Sequence, residues 1–414
     1  MRLADLVHPA FRLIDQHGTT NLDGLAAAAS PLARGTVFEV PAADPRAALI
    51  GLESAWMAGA VPLPSARCSA PRDLGPSDDS ALVLRTSGST GTPRLPTFTA
   101  AAVMTAARRI ASYLTLSADD TVALLLPCDH GFGLVGQLLA AASVGATVVW
   151  CGRPFPAERA QAIVDARATV VAAVPYGLTQ LAEHLAPQPQ IRQVGSAGGP
   201  LLPHVASRLA LAFPAAVLWN QYGCTEAGPR LAAIPSTSPA FASGTVGRPI
   251  AGVKLWVDAP EPRAPGAICF ASDTAMRGYL GAPEATEAAR RTAPDGTRGF
   301  TTGDVGVLDE ADRLHVVGRV DDLVKLRGER VSLDAVARAA ERAGADAALA
   351  IVAGDDTLVV VYEGPNELRA SALVRELPSG IAPRRMLKLP ALPRLASGKL
   401  DRTAIDALAR GGPQ

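Results

Sequence analysis

The stretch "TSGSTGTPR", Thr86 to Arg94, has the composition of an anion cradle and follows the apolar run "ALVL". Gly88 and Gly91 let backbone N–H groups point into a concavity. Thr86, Ser87, Ser89 and Thr90 add hydroxyl donors without fixed charge, and Arg94 supplies a permanent positive charge. A triphosphate would use all of them. The Walker A pattern, a glycine separated by four residues from Gly-Lys-Ser/Thr, is absent, so ordinary P-loop chemistry is disfavoured. Taken alone, the stretch also reads as an exposed polar linker.

Further short segments add chemistry. "NQYGCTEAG", Asn220 to Gly228, places an aromatic, a hydroxyl and a carboxylate within seven residues, and "TTGDVG", Thr301 to Gly306, isolates Asp304 on a turn. "PCDHGFG" sets His130 between small residues, while "GRVDDLVKLRGERVS" and "PRLASGKLDR" put charges in glycine-marked loops. The five cysteines are widely spaced with no CxxC pair, which suggests neither a disulfide framework nor a zinc site and fits a reducing cytoplasm.

Such loops need a scaffold. The runs "ALVLRT", "TVALLLP", "ATVVWC" and "ATVVAAV" alternate with Ala-rich stretches such as "AAVMTAARRIASYL" and "AERAQAIVDAR". That alternation predicts an α/β body, with strands of a mostly parallel sheet joined by crossover helices. From about Gly244 the chain turns to short, Pro- and Gly-punctuated segments that read as a small β subdomain. Past "GRVDDLVKLRGERVS", "LDAVARAAERAG" reads as an amphipathic helix and "DAALAIVAGDDTLVVVYEG" as two strands about a turn. Expected domains are therefore 1–319, with 244–319 β-rich, and a small α+β domain over 320–414. Phe132 to Cys151 carries no charge over 20 residues, but Gly145 divides it into a buried helix feeding a buried strand and not a membrane span. The first thirty residues lack a secretory h-region. With 39 basic and 39 acidic residues, no bulk charge favours nucleic acid or an anionic membrane as partner.

Taken in order, these motifs resemble the adenylate-forming superfamily of acyl-CoA synthetases, peptide-synthetase adenylation domains and firefly luciferase. "AWMAGAVPLP" near Ala55, "GSAGGPL" from Gly195 and "VGRP" from Val246 extend the likeness to nearly the whole chain. The resemblance implies ATP and Mg²⁺ as cofactors and a large N-terminal domain with a small mobile C-terminal one. It implies that Thr86, Ser87, Gly88, Ser89, Thr90, Gly91 and Arg94 hold the β- and γ-phosphates. Tyr222 would stack on adenine against Ala197, Gly198 and Gly199, with Asn220 on the adenine edge and Gly223 beside it. Thr225 would meet the α-phosphate, Glu226 would hold the metal, and Asp304 with Arg319 beside it would take the ribose.

Lys399 matches the lysine that bridges the acid and the α-phosphate, and Asp321 the hinge about which the small domain turns to bring the loop containing Gly328 to a thiol channel. His130 matches a position near the acid's carboxylate. Gly195, Ser196, Ala197 and Gly198 would suit the floor of a pocket for a flat ring. Cys224 falls at a variable position and reads as a packing residue.

Two features depart from the family pattern. Arg94 stands where lysine is common, and the chain is shorter than a typical member, as for a stand-alone ligase of secondary metabolism. "DLVKLRGERVSL" is most similar to aryl acid ligases of pigment pathways, which implies a hydroxybenzoate loaded onto a holo acyl carrier protein or CoA. An adenylating enzyme with an amine or nitrite acceptor, and a non-catalytic nucleotide-binding protein of the same fold, remain the alternatives.

Overall fold

The computed structural model describes residues 2–29, 36–66, 72–76, 80–86, 93–153, 155–326, 329–353, 357–374, 377, 382–395 and 398–410. By internal contacts the chain divides into two units. The first comprises Met1–Trp256, Cys269–Thr302 and Glu310–Leu314, and the second Val257–Ile268, Gly303–Asp309 and His315–Gln414. Arg319 and Asp321 both fall in the second.

A nine-stranded sheet organises the first unit. In chain order its strands are β1 (Arg12–Asp15), β2 (Gly18–Thr20), β3 (Thr121–Leu124), β4 (Thr147–Trp150), β5 (Val170–Ala173), β6 (Gln193–Ala197), β7 (Val217–Tyr222), β8 (Ala232–Pro235) and β9 (Arg248–Pro249). Their spatial order is β9-β8-β7-β6-β5-β3-β4-β1-β2. Six neighbouring strands, β7 through β1, are parallel, and antiparallel strands close both edges. The chain leaves β3 for β4 on one side and returns to place β5 on the other. That reversal opens a crevice at the carboxyl ends of β3 and β5, the usual ligand position in an open α/β sheet.

Helices cover both faces. Pro156–Asp165, Pro175–His184 and Pro203–Ala212 each begin on a proline, whose fixed φ suits the first helical position. They bury Ile163, Leu178, Leu181 and Leu209 against Ala123, Val171, Val194 and Leu218. On the opposite face, Ala100–Tyr113 packs Ile110 and Ala111 against Ala140 and Trp219. The uncharged run is helical from Gly131 to Val144, wound as a π helix over Leu134–Leu139, and then enters β4 after Gly145 at φ 82°. Among the described residues no helix is long and apolar enough to cross a membrane.

One expected strand lies elsewhere. "ALVLRT" forms only Leu82–Val83, which pairs antiparallel with Pro96–Phe98, which in turn pairs with Gly278–Tyr279. The chain reverses immediately after the run, so its natural partner is the returning strand of a hairpin. A further sheet joins Thr36–Pro41 to Val61–Ser65 in parallel through the helix Pro45–Ala58. Asp44 caps that helix by accepting from Ala47 N at 2.8 Å, and Gly59 ends it at φ 69°.

In the second unit Ala347–Ala353 and Thr357–Glu363 form the expected antiparallel pair, and Arg385–Lys388 adds in parallel. The helix Leu333–Arg342, capped by Ser332, buries Val336, Ala337 and Ala340 on one side of this sheet. Ile405 and Ala409 of Arg402–Ala409 belong to a second apolar cluster with Leu349, Val359 and Val361.

Candidate active site

Most of the motif residues of the first unit lie at the carboxyl ends of its parallel strands. His130 follows β3, Ala197 ends β6, and Tyr222 ends β7. Ser196 pairs in register with Asn220, and Ala197 with Gln221, so the two motifs "SAGG" and "NQYG" are neighbours across one ladder. Gly198 takes φ 81°, a left-handed turn that frees the backbone after β6. Gly199 faces Pro175, and Gly195 lies between Ala172 and the tip of Gln221. Ser196 is fully buried with its hydroxyl unpartnered.

Tyr222 is 9% exposed, and its hydroxyl lies 3.1 Å from Thr302 Oγ1, which fixes the ring. Asn220 is buried, and its amide donates to the Thr245 carbonyl at 3.0 Å. Gly223 has no alternative: a Cβ there would stand 2.1 Å from the Pro229 carbonyl oxygen. Thr225–Ala227 then forms a single 3₁₀ turn preceded by half-buried Cys224. His130 starts the helical segment at Gly131–Gly133, with its ring 3.7 Å from Asp129. A Cβ on Gly133 would stand 2.0 Å from the Pro127 carbonyl, so this loop must carry glycine.

Of the anion-cradle residues, Ser87, Gly88, Ser89, Thr90 and Gly91 lie outside the described residues. Thr86 and Arg94 close the loop reciprocally. Thr86 N donates to the Arg94 carbonyl at 3.0 Å, and Arg94 N donates to Thr86 Oγ1 at 2.9 Å. The loop is therefore the tip of a hairpin, with the strand Pro96–Phe98 between it and the helix capped by Thr99.

Tyr279, on the next strand of the same small sheet, links the loop to the acidic motif. Its hydroxyl donates to Glu226 Oε1 at 2.9 Å, and the Arg94 guanidinium lies 5.3 Å from its ring centre. Burial, and then the adjacent Glu226 carboxylate, push the Tyr279 hydroxyl above its ordinary pKa against the opposing effect of Arg94, so the proton stays in place. Glu226 is fixed from its backbone too, since its carbonyl accepts from Met276 N at 2.8 Å.

In the second unit, Arg319 Nη1 donates to Asp304 Oδ1 at 3.1 Å, so the two are neighbours, and Asp304 lies within the strand Arg298–Leu308 and not on the expected turn. Lys399 is exposed on a turn in which Gly398 takes φ 81° and the Lys399 carbonyl accepts from Leu395 N. Two residues on, Asp401 caps the last helix by accepting from Ala404 N at 3.0 Å. Arg402 grips both oxygens of buried Asp322, which ties the lysine turn to the residue after Asp321. Asp321 lies in the 3₁₀ turn Val320–Asp322, its side chain outside the described residues, and Gly328 also lies outside them.

Sequence reasoning missed Tyr279, Thr302, Gln221, Arg230 and Gln137. Arg230 is 4% exposed beneath the Phe132 ring, 4.1 Å from its centre, and its Nε donates to Gln221 Oε1 at 2.7 Å. Burial pulls its pKa below the ordinary guanidinium value, while neighbouring Tyr113 opposes that shift. Its one sequence signal is a lone base between "GP" and the apolar "LAAIP".

An oxalate–CoA ligase of Arabidopsis thaliana is 28% identical over 358 residues, 79% of this chain and 67% of the relative. A 4-coumarate–CoA ligase 2 of Oryza sativa subsp. japonica is 33% identical over 279 residues, 62% of this chain and 48% of the relative. The chain thus spans about half to two thirds of the length of these curated relatives. The crystal structure of ATP-bound MatB from Rhodopseudomonas palustris superposes with a TM-score of 0.82 at 20% identity, covering 99% of this chain and 98% of that one, which establishes a shared fold. The family model described as AMP-binding enzyme matches residues 15–280. With its parallel-strand crevice, its hairpin loop and its Tyr222 to Glu226 turn all inside that span, the chain belongs to the AMP-binding enzyme family.

Proposed function

We propose that the protein is an AMP-forming acid–thiol ligase. A carboxylate oxygen of the acid attacks the α-phosphorus of ATP and pyrophosphate leaves. A phosphopantetheine thiol then attacks the acyl carbon, forms the thioester, and releases AMP and the thiol proton. The observation that carries this reading is the Arg94–Tyr279–Glu226 relay, which fixes a guanidinium and a carboxylate at the mouth of a loop suited to phosphate.

The residues fit magnesium. Among the described residues no cluster of three acidic, histidine or cysteine ligands exists, and a magnesium ion that accompanies a nucleotide needs only one or two carboxylates plus phosphate oxygens. Glu226 is that carboxylate. The ion supplies charge neutralisation at the phosphates. Tyr222 offers an aromatic face to adenine and Thr225 a hydroxyl to the α-phosphate. Asp304 accepts from ribose hydroxyls, and Lys399 brings an ammonium to the two anions that must meet. Asp321 is the hinge that lets Lys399 withdraw before the thiol enters.

The acid we favour is aromatic, a hydroxybenzoate, and the acceptor is a holo acyl carrier protein or CoA. The similarity of "DLVKLRGERVSL" to aryl acid ligases supports this choice, as do the coumarate-activating relatives. ATP–pyrophosphate exchange across benzoates, cinnamates, fatty acids and amino acids tests the reading. Exchange with an aromatic acid is expected, and background rates with every acid would overturn it.

A further inference from the structure

Lys399 stands on a turn whose two ends are each fastened to a buried carboxylate. On its amino side, Glu363 Oε1 accepts from Arg394 Nη2, and Glu363 Oε2 accepts from Leu392 N. This pair is nearly closed to water, with the Glu363 side chain 7% and the Arg394 side chain 13% exposed. On its carboxyl side, Arg402 holds both oxygens of Asp322, whose side chain is 4% exposed.

The backbone between these anchors closes on itself. Arg394 and Leu400 form an antiparallel bridge. Leu395 N donates to the Lys399 carbonyl and Gly398 N to the Leu395 carbonyl, each at 2.8 Å, and Asp401 N donates to the Pro393 carbonyl at 2.9 Å. Arg394 Nη1 also reaches the Gly398 carbonyl at 3.4 Å. One guanidinium therefore joins Glu363 to the residue immediately before Lys399. Glu363 ends the strand Thr357–Glu363, which lies between the other two strands of its sheet, so the point of attachment is itself held on both sides.

A buried ion pair is a poor source of stability, because taking two charges out of water offsets much of their attraction, and an apolar pair of similar volume holds a fold as well. What the planar fork of Arg394 adds is direction. A lysine carries its ammonium on a flexible four-carbon stem, so the charge can be aimed only from a fixed backbone. A misplacement of about 1 Å at a reacting group costs on the order of 100-fold in rate.

Resting on the adenylation reading above, we infer that Glu363 is a positioning residue for Lys399 and acts through Arg394. The Arg402–Asp322 pair holds the far end of the same turn.

The test is a double-mutant cycle in the full chain, read by ATP–pyrophosphate exchange with the acid that gives the highest wild-type rate. Glu363→Gln is expected to lower kcat for exchange by about tenfold or more, with the KM for ATP and the transfer from a preformed acyl-adenylate to the thiol nearly unchanged. In the Lys399→Ala background the same substitution is expected to change exchange by less than about twofold, because the group it displaces is already absent. A purely structural role would lower exchange equally in both backgrounds and depress both half-reactions.

If Glu363→Gln does not fold, Arg394→Lys takes its place, since an ammonium keeps the charge beside Glu363 and loses the fork. Wild-type exchange in the folded variant, an equal loss with and without Lys399, or failure of both variants to fold would overturn the inference. If no acid supports exchange, the ligase reading fails separately, and amide hydrogen exchange of variant against wild type decides. Protection lost at Leu395, Gly398 and Asp401 but kept along Thr357–Glu363 retains the anchor, and unchanged protection at the turn or uniform loss through the sheet ends it.

Discussion

Tyr279 Oη donates to Glu226 Oε1 at 2.9 Å while Arg94 lies against the same ring, so one tyrosine holds a carboxylate and a guanidinium that are 132 positions apart in sequence. Tyr279→Phe keeps the ring and removes only the donor. Outer partners of metal ligands typically contribute 10–100-fold to metal affinity. We therefore expect the magnesium concentration for half-maximal exchange to rise at least about tenfold, with little change in Tm. An unaltered magnesium dependence would reduce Tyr279 to a space-filling role.

Thr86 closes the cradle through Oγ1 as well as through its backbone. Thr86→Val removes the side-chain acceptor and leaves the N–H to Arg94 carbonyl bond intact. The loss of one hydrogen bond of about 1 kcal/mol predicts roughly a fivefold rise in the KM for ATP, measured at saturating acid. A KM equal to wild type would show that the backbone pair alone shapes the loop.

Lys399→Ala separates the two half-reactions. Adenylation is expected to fall by about 10²–10³, the scale of one lost stabilising donor at a developing charge. Transfer from a preformed acyl-adenylate to the thiol should be nearly unchanged. Rapid-quench measurement of both steps checks this, and a matched loss in both would remove the assigned role.

A stability prediction concerns Asp120, which accepts from Arg192, Thr169 and Ser117. Burial alone would raise its pKa, but the hydrogen bonds led by Arg192 outweigh that and hold it below the ordinary carboxylate value. Its contribution is therefore present above the unfolded value near pH 4 and is lost as pH falls through the lower folded value. Asp120→Asn should cost about 2 kcal/mol at neutral pH, with the gap from wild type closing in strong acid. Urea unfolding at pH 7 and across the acid range reads both.

The sheet was legible because its strands are buried on both faces. "TVALLLP", "ATVVWC" and "ATVVAAV" carry the continuous apolar signal of parallel strands, and proline-led helices mark the crossovers between them. "ALVLRT" carries the same signal and was misplaced, because a local pattern does not say which partner a strand will take. The motif residues were legible through glycines forced by close contacts, such as Gly223 against Pro229. Tyr279 and Arg230 were not. Tyr279 reaches the site only through its register with Pro96, and the burial of Arg230 depends on Phe132 and Gln221, each placed by a different element.

The π-helical winding of Leu134–Leu139 sets the angular position of Gln137. Losing a single codon within that stretch would let it relax to ordinary 3.6-residue turns, stepping side chains round the axis by about 100°. Ala140–Val144 would keep its packing, but the glutamine tip would swing off the Ala172 carbonyl. One missing residue would thus rewrite the polar contacts beneath the sheet while leaving the loops at its carboxyl edge as they are.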